Sequence, residues 1–322
     1  MKAVVLVGGR GTRLLPLTET APKQMLPVAG RPMIEWVLEH LAAHGIDEVV
    51  LSLGYRPDAF TDAYPDGTAC GVALRYAVEG SPLDTAGAIA FAARHAGLRE
   101  PFVVVNGDVL TSLDVGALVA FHAERGAEAT IALTPVADPS RFGVVPTDEA
   151  GRVLAFIEKP PAGTAPTNLI NAGTYVLEPS VLDRIPEGRP TSIERVTFPA
   201  LVDEQRLYAM ASDADWVDAG TPATYIAANL ARAGSTAGGE VHPDATVRRS
   251  VVGAGATVAA GAVVDGSLLL DGARVAEGAQ VRDSIVGWGA VVGAGASVAE
   301  GCVLGAAAVV GAGASLAATT VP

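Results

Sequence analysis

Ala3-Val4-Val5-Leu6-Val7-Gly8-Gly9-Arg10-Gly11-Thr12-Arg13-Leu14-Leu15-Pro16-Leu17-Thr18 follows directly on Met1-Lys2. Five apolar, mostly β-branched residues that run into paired glycines read as a buried parallel strand ending in a turn. Glycine matters there because, with no Cβ, it lets backbone N–H groups approach a phosphate chain and adopt φ values closed to other residues. A second cluster, Pro22-Lys23-Gln24-Met25-Leu26-Pro27, comes soon after. Arg13 and Lys23 add fixed positive charge near one strand end, suited to a triphosphate whose charge rises as a bond breaks. Neither common glycine-rich loop fits. A dinucleotide fingerprint needs a third glycine where Leu14 stands, and a Walker loop needs Gly-Lys-Ser/Thr in place of Gly11-Thr12-Arg13.

Working outward, further short β-branched runs over 49–53, 72–77 and 102–106 predict buried strands, with helices between them. Pro32 suits the first turn of a helix whose apolar face is Met33, Trp36, Val37 and Leu41, with Gly45 at its C-terminal cap. The stretch 85–95 reads as another helix, with Asp84 as its cap. Such alternation implies a mostly parallel α/β sheet covered by helices, with ligands at the carboxyl ends of its strands. Gly8-Gly9 and Asn106-Gly107-Asp108 both occupy such ends. From 130 to 176 strands predominate, Thr191-Ser192-Ile193-Glu194 reads as a capping box, Trp216-Val217-Asp218 closes a strand, and 222–232 predicts the last helix.

Beyond Val241 the apolar period becomes six. Val252, Val258, Val264 and Leu270 recur at that spacing, as do Val286, Val292, Val298, Leu304, Val310 and Leu316, with five-residue steps from Leu270 to Val275 and Val281 to Val286. A helix needs a period near 3.6 and a simple strand needs two, so a six-residue repeat marks a parallel β-helix. The expected domains are therefore 1–232, a linker over 233–240, and 241–322.

Composition narrows the function. At 50% apolar and only 5% aromatic, the hydrophobicity of this 322-residue chain comes from small aliphatics, as stacked repeats require. A net charge of −13 and a pI near 4.8 disfavour generic nucleic-acid binding or an anionic membrane surface as partner. Cys70 and Cys302 alone make neither a disulfide framework nor a zinc site. The leading apolar run is too short for a signal-peptide core, and no uninterrupted apolar stretch spans a bilayer, so a cytoplasmic location is expected. His40 and His44 have a zinc-ligand spacing but no third ligand, and no Gly-x-Ser-x-Gly elbow occurs.

The whole string from Gly8 to Thr18, with Pro22-Lys23, closely resembles the signature of the sugar-phosphate nucleotidyltransferases. That resemblance implies a Rossmann-like mixed sheet followed by a left-handed parallel β-helix of hexapeptide repeats. It implies that Gly8, Gly9, Gly11 and Thr12 cradle the nucleotide with Thr85 and Gly107, beside which Asp84 is a further candidate. Arg13, Lys23 and Asp108 would be catalytic, and Asp108 and Asp218 would hold magnesium. Phe142-Gly143-Val144-Val145, Phe156-Ile157-Glu158-Lys159-Pro160 and Asn171-Ala172-Gly173 match further family motifs, which assigns the sugar phosphate to Gly143, Glu158, Lys159 and Asn171, with Asp218. From the residues alone, Asp108 and Asp218 also suit strand-ending turns, Glu158-Lys159 a solvated pair, and Asn171 an ordinary turn.

Within the family the likeness is greatest to members that join mannose 1-phosphate to GTP, carried by 171–177, Pro190-Thr191-Ser192-Ile193-Glu194, Phe198-Pro199, Leu207-Tyr208-Ala209-Met210 and 216–222. Glucose 1-phosphate with dTTP or UTP is the alternative. Two other classes are a β-helix acyltransferase, for which His242 is the one histidine after position 240, and a non-catalytic subunit, which should have lost one of Arg13, Lys23, Asp108 or Asp218. The tail is expected to mediate homo-oligomer assembly. One departure stands out. Many relatives have Leu-Gly-Thr where this chain has Leu83-Asp84-Thr85. Asp84 there either caps the helix or accepts hydrogen bonds from base or ribose, for instance from guanine N1–H and its N2 amine.

Overall fold

The computed structural model describes residues 1–233 and 238–322, so positions 234–237 of the expected linker lie outside the described residues. The β-branched runs form β1 (Lys2–Leu6), β2 (Glu48–Leu53), β3 (Val72–Val78), β4 (Phe102–Asn106), β5 (Ala129–Pro135), β6 (Leu169–Leu177) and β7 (Leu207–Ala211). Across one sheet these run β7-β5-β6-β4-β1-β2-β3. β4, β1, β2 and β3 are parallel, with Val4 opposite both Val50 and Val104. β6 runs antiparallel to β4 and β5, which makes the sheet mixed as expected. Strand order reverses beside β1, between β2 on one side and β4 on the other. In such sheets that reversal opens a crevice at the carboxyl ends of the two diverging strands.

The main helices are α1 (Met33–Ala43), α2 (Asp84–His95), α3 (Val115–Arg125) and α4 (Pro222–Ala233). Alanines 86, 90 and 93 with Ile89 let α2 lie close on β1 and β2, while α3 covers β5 and β7. Phe102, Tyr175 and Phe198 anchor the core, the last two meeting edge to face at 5.2 Å. Gly45 closes α1 at φ 77, as the sequence suggests. Pro32 does not start α1. It pairs with Pro27 in the hairpin Pro27–Val28 and Arg31–Pro32. The capping box of Thr191 with Glu194 does not form, and the cap is Ser192, one residue on. Ser192 accepts from the Arg195 N–H, but the Glu194 carboxylate takes the hydroxyls of Thr85 (2.6 Å) and Ser192 (2.7 Å). Tied in this way, the chain makes one wide turn over Ile193–Thr197 before the helix Phe198–Asp203 begins.

The C-terminal repeats wind into a left-handed parallel β-helix whose three faces each stack five short strands. Early coils hold 17 residues, since Thr257 pairs with Arg274 and Val263 with Gln280; a later one holds 18, since Val291 pairs with Val309. Two sides of an early coil are hexads and the third is a pentad. The inward row is therefore Val252, Val258, Val264, Leu269, Val275, Val281 and Val286, all buried. This corrects the expected register: the five-residue step falls from Val264 to Leu269, because Leu269 and not Leu270 stacks between Val252 and Val286. Each such buried aliphatic contributes about 1.5–3 kcal/mol.

A buried serine ladder makes the short corner. Ser250 Oγ accepts from the Ser267 N–H at 3.0 Å, and Ser267 Oγ from the Ser284 N–H at 3.2 Å. Each hydroxyl donates to the carbonyl two residues before it. Where the coil lengthens, Cys302 takes the corner and its thiol donates to Ala299 O.

By compactness the chain divides into two units. One comprises Met1–Gly9 and Ile34–Trp216; the other comprises Arg10–Met33 and Val217–Pro322. The segment with Arg13 and Lys23 is thereby grouped with the β-helix, whereas the division by sequence follows chain order. Ser267→Ala should cost about 1–3 kcal/mol, since it strands the buried Ser284 N–H. Denaturant unfolding of the variant against the unsubstituted protein measures this loss.

Candidate active site

In the sheet unit, the crevice beside β1 is bare of side chains because there is no room for them. A Cβ on Gly107 would sit 2.6 Å from Val7 Cγ1 and 2.9 Å from Leu6 O; as glycine, its N–H donates to Leu6 O at 3.0 Å. Gly8 and Gly54, after β1 and β2, also lie against each other, a Cβ on Gly54 falling 3.0 Å from Gly8 O. Gly9 next to it is open. These approaches leave backbone edges at the strand ends, where a phosphate or ribose can lie against them. Asp108 follows Gly107 here, partly buried at the end of β4.

One wall of this crevice was not anticipated from sequence. Glu79, just past β3, places Oε1 3.0 Å from the buried Ser52 hydroxyl and Oε2 3.2 Å from the Leu83 N–H. Its Oε1 lies 3.7 Å from where a Cβ of Gly8 would be. Burial raises its pKa above the usual carboxylate range, while the Ser52 and Leu83 hydrogen bonds oppose the rise. In sequence it is one acidic residue after a strand; the signal is Ser52, supplied by the neighbouring strand.

Asp84 and Thr85 lie at the start of α2. Leu83 occupies the cap position, so Asp84 is the first helical residue and not the cap that the sequence suggests. Its φ of 60 is a left-handed conformation that glycine favours and aspartate tolerates. Its exposed carboxylate accepts the Thr85 N–H at 2.8 Å, while Thr191 O takes those of Ala86 and Gly87. Thr85 Oγ1 is committed to Glu194 and to the Ile193 N–H.

The sugar-side motifs also converge within this unit. Gly143 pairs with Glu158 across an antiparallel ladder, where a Cβ would strike the Phe156 ring at 2.6 Å. Glu158 and Lys159 form an ion pair at 3.3 Å, the lysine side chain being the more exposed. Asn171 spans a bulge in β6. Its Oδ1 accepts the Gly173 N–H and its Nδ2 donates to Tyr175 Oη, both at 2.9 Å. Gly173, at φ 73, abuts the Asn106 side chain at the end of β4. Trp216, read from sequence only as part of a strand, donates its indole N–H to Ala172 O at 2.9 Å and stands edge-on to Phe142 at 5.7 Å.

In the β-helix unit, Gly11 adopts φ 62 and brings Thr18 and Lys23 together; a Cβ there would lie 3.0 and 3.1 Å from them. Thr18 donates back to Gly11 O. Thr12 and Arg13 lie exposed on the tight turn Thr12–Leu14, and Lys23 lies on the turn Lys23–Met25 with only 8% exposure. Asp218 and Arg13 meet over Gly220, whose missing Cβ would be 2.7 Å from Asp218 Oδ1 and 2.8 Å from Arg13 Nη2. The sequence-expected residues thus fall in two groups: Gly11, Thr12, Arg13, Lys23 and Asp218 in this unit, and the others in the sheet unit.

Residues 2–234 match the family described as "Nucleotidyl transferase". The chain belongs to this family. Residues 235–322 match a domain described as "GMPPB C-terminal domain". Among named relatives of this nucleotidyl transferase, the mannose-1-phosphate guanylyltransferase of Mycobacterium tuberculosis is 46% identical over 226 residues, which is 70% of this chain and 62% of that protein. Mannose-1-phosphate guanylyltransferase 1 of Arabidopsis thaliana is 45% identical over 230 residues, 70% of this chain and 63% of that one. The match therefore spans less than two thirds of these relatives. HddC from Yersinia pseudotuberculosis, solved in complex with GMP-PN, superposes with a TM-score of 0.60 at 27% identity, over 71% of this chain and 98% of that chain. A putative glucose-1-phosphate thymidylyltransferase from Bacillus anthracis gives 0.64 at 25% identity, over 73% and 96%.

Because the folded pKa of Glu79 is raised, its contribution to stability is fully present below the ordinary glutamate pKa and is lost as pH rises through the folded value. Glu79→Gln should flatten this part of the stability profile above about pH 4.5. Melting temperatures of both proteins between pH 4 and 7 should converge or cross as pH rises.

Proposed function

We propose that this nucleotidyl transferase joins mannose 1-phosphate and GTP to give GDP-mannose and pyrophosphate. The observation that carries the reading is the bare, glycine-lined strand reversal at Gly8, Gly54 and Gly107, with a half-buried carboxylate on its wall. The names of the relatives agree with it. A phosphate oxygen of the sugar bonds to the α-phosphorus of GTP, the bond from that phosphorus to the bridging oxygen breaks, and its electron pair leaves with pyrophosphate. No covalent enzyme intermediate is needed. Two polyanions must meet, so the protein works by positioning and charge stabilisation.

Arg13 and Lys23 take the triphosphate, Gly8, Gly9, Gly11 and Thr12 its backbone contacts, and Glu158, Lys159 and Asn171 the sugar phosphate, with Gly143 keeping that wall free of a side chain. Asp108 and Asp218 offer hard oxygen donors, which suits magnesium, an ion that uses one or two carboxylates and completes its shell with water and phosphate. Among the described residues no group of three or more His, Cys, Asp or Glu is placed to form an all-protein cage. The ion would neutralise phosphate charge. No described helix is long and apolar enough to cross a membrane, and both cysteines are free; we place the enzyme in the cytoplasm and assign assembly into a homo-oligomer to the β-helix.

Glu79 favours guanine over thymine or uracil. Guanine presents two adjacent donors, N1–H and the N2 amine, to a carboxylate, whereas the pyrimidines present one N–H between two carbonyls. Asp84, exposed at the mouth, is the second acceptor for base or ribose. Pyrophosphate release should be measured for mannose 1-phosphate and glucose 1-phosphate against GTP, dTTP and UTP. We expect strong preference for mannose 1-phosphate with GTP, and its absence reassigns the substrates. Glu79→Gln should cut the kcat/KM preference for GTP about 10- to 100-fold, one base-reading pair being worth about 1–3 kcal/mol; Asp84→Gly in the same grid should weaken it less. Asp108→Asn should lower kcat by roughly 100-fold or more while the melting temperature holds. Turnover in that variant at the normal rate removes Asp108 from the reacting centre.

A further inference from the structure

The segment Arg10–Met33 is grouped by compactness with the β-helix, and it is held at both ends. At one end, the hairpin after Lys23 is fixed to α4 by two buried polar side chains. Asn229, 2% exposed, accepts the Ala29 N–H at 3.0 Å and donates to Tyr225 O. The fully buried Tyr225 hydroxyl donates to Pro27 O at 2.5 Å. Burial, with a smaller push from the Asp271 carboxylate, raises the Tyr225 pKa, and α4 packs on Val251–Val252. So α4 lies against the first coil.

At the other end the support is the β-helix itself. Gly253, Leu270, Gly287 and Gly305 succeed one another along a corner, each N–H donating to a carbonyl one coil on. At Gly305 this corner meets the turn that follows Arg13: a Cβ on Gly305 would lie 2.9 Å from Pro322 C on the next coil and 3.0 Å from Pro16 Cγ, and Pro16 is buried. Pro16 O in turn accepts the Glu19 N–H that starts the next turn, and Thr18 there bonds Gly11 O. Gly11 has Thr18 and the Lys23 stem against it, and its carbonyl also takes the Leu14 N–H, so displacement at Pro16 reaches the turn that carries Arg13 and the stem of Lys23.

We propose that Gly305 is a positioning residue for the nucleotide: lacking a side chain, it lets the fourth coil seat Pro16, and the β-helix so sets the triphosphate-binding turn. This rests on the reading that Arg13 and Lys23 bind the triphosphate. The β-helix is then a working part of the site and not only an assembly surface. A fault where the coil meets Pro16 should appear as lost nucleotide affinity and not only as lost stability.

Three alanine variants of the full chain separate the two effects. Gly305→Ala places a Cβ against Pro16. In Gly293→Ala the Cβ meets the next coil at Ala312 N and Val310 O, a backbone collision of the same kind with neither Gly305 nor Pro16 among its nearest neighbours. Gly311→Ala faces open space. Equilibrium binding of GTP with magnesium, KM for GTP and for mannose 1-phosphate, and melting temperature are measured for each. The expected result is that Gly305→Ala raises Kd and KM for GTP about tenfold with KM for mannose 1-phosphate nearly unchanged. Gly293→Ala lowers the melting temperature without that split, and Gly311→Ala does neither. Equal GTP affinity in Gly305→Ala and Gly311→Ala overturns the inference, as does a GTP defect in Gly293→Ala that scales with its destabilisation.

Should Gly305→Ala fail to fold, the unsubstituted protein gives the answer. Coupling is reciprocal, so GTP must slow amide exchange over 303–310 more than over 285–292. Equal protection overturns the proposal. Failure of the unsubstituted protein to bind GTP at all would instead overturn the reading on which it rests.

Discussion

The central strand of the sheet can receive a polyanion only if nothing stands at its end. Gly107 is pressed against Leu6 and Val7, Gly54 against Gly8, and Gly173 against Asn106, so two loops and the bulge in β6 all give up their side chains around β1 and β4. A Cβ would collide with backbone at Gly107 and Gly54 and with the Asn106 side chain at Gly173. The rest of the sheet unit follows from keeping this crevice narrow. Small residues on α2 hold the helix close behind β1 and β2, and the bulge in β6 allows Gly173 to reach Asn106.

Much of this was legible because its signals are local. Buried parallel strands need continuous β-branched runs, and their ends need glycine, so strand positions and the loops at Gly8 and Gly107 follow from neighbouring residues. The period of six was equally plain, but its phase was not. Leu269 and Leu270 are both apolar and both buried, and only the pairing of Leu269 with Val252 and Val286 shows which one faces inward. Pro32 and Glu194 misled for a related reason. Each fits a local rule for starting a helix, and each is claimed by a distant partner, Pro27 across a hairpin and Thr85 at the head of α2.

Glu79 marks the limit of that kind of reading. A lone glutamate after a strand is ordinarily a solvated residue, and its meaning depends on Ser52 folding beside it from 27 positions away. Burying a carboxylate is unfavourable unless its charge is met, and the two hydrogen bonds from Ser52 and Leu83 meet it only in part, since the pKa still rises. A half-buried carboxylate on the wall of a crevice stripped of other side chains is what a site for a hydrogen-bond donor requires.

The positive charge is supplied differently. Arg13 and Lys23 stand on short turns, which have little intrinsic stability and would wander if left alone. Their geometry is therefore borrowed: Thr18 and Gly11 close one turn, Asn229 and Tyr225 hold the hairpin beyond Lys23, and the coil at Gly305 backs Pro16. A β-helix is well suited to this task, because its stacked aliphatics and serine ladder propagate register from coil to coil and leave little freedom at any one corner. Stiffness accumulated over the coils is thus available at Gly305, where a turn of a few residues could not have provided it.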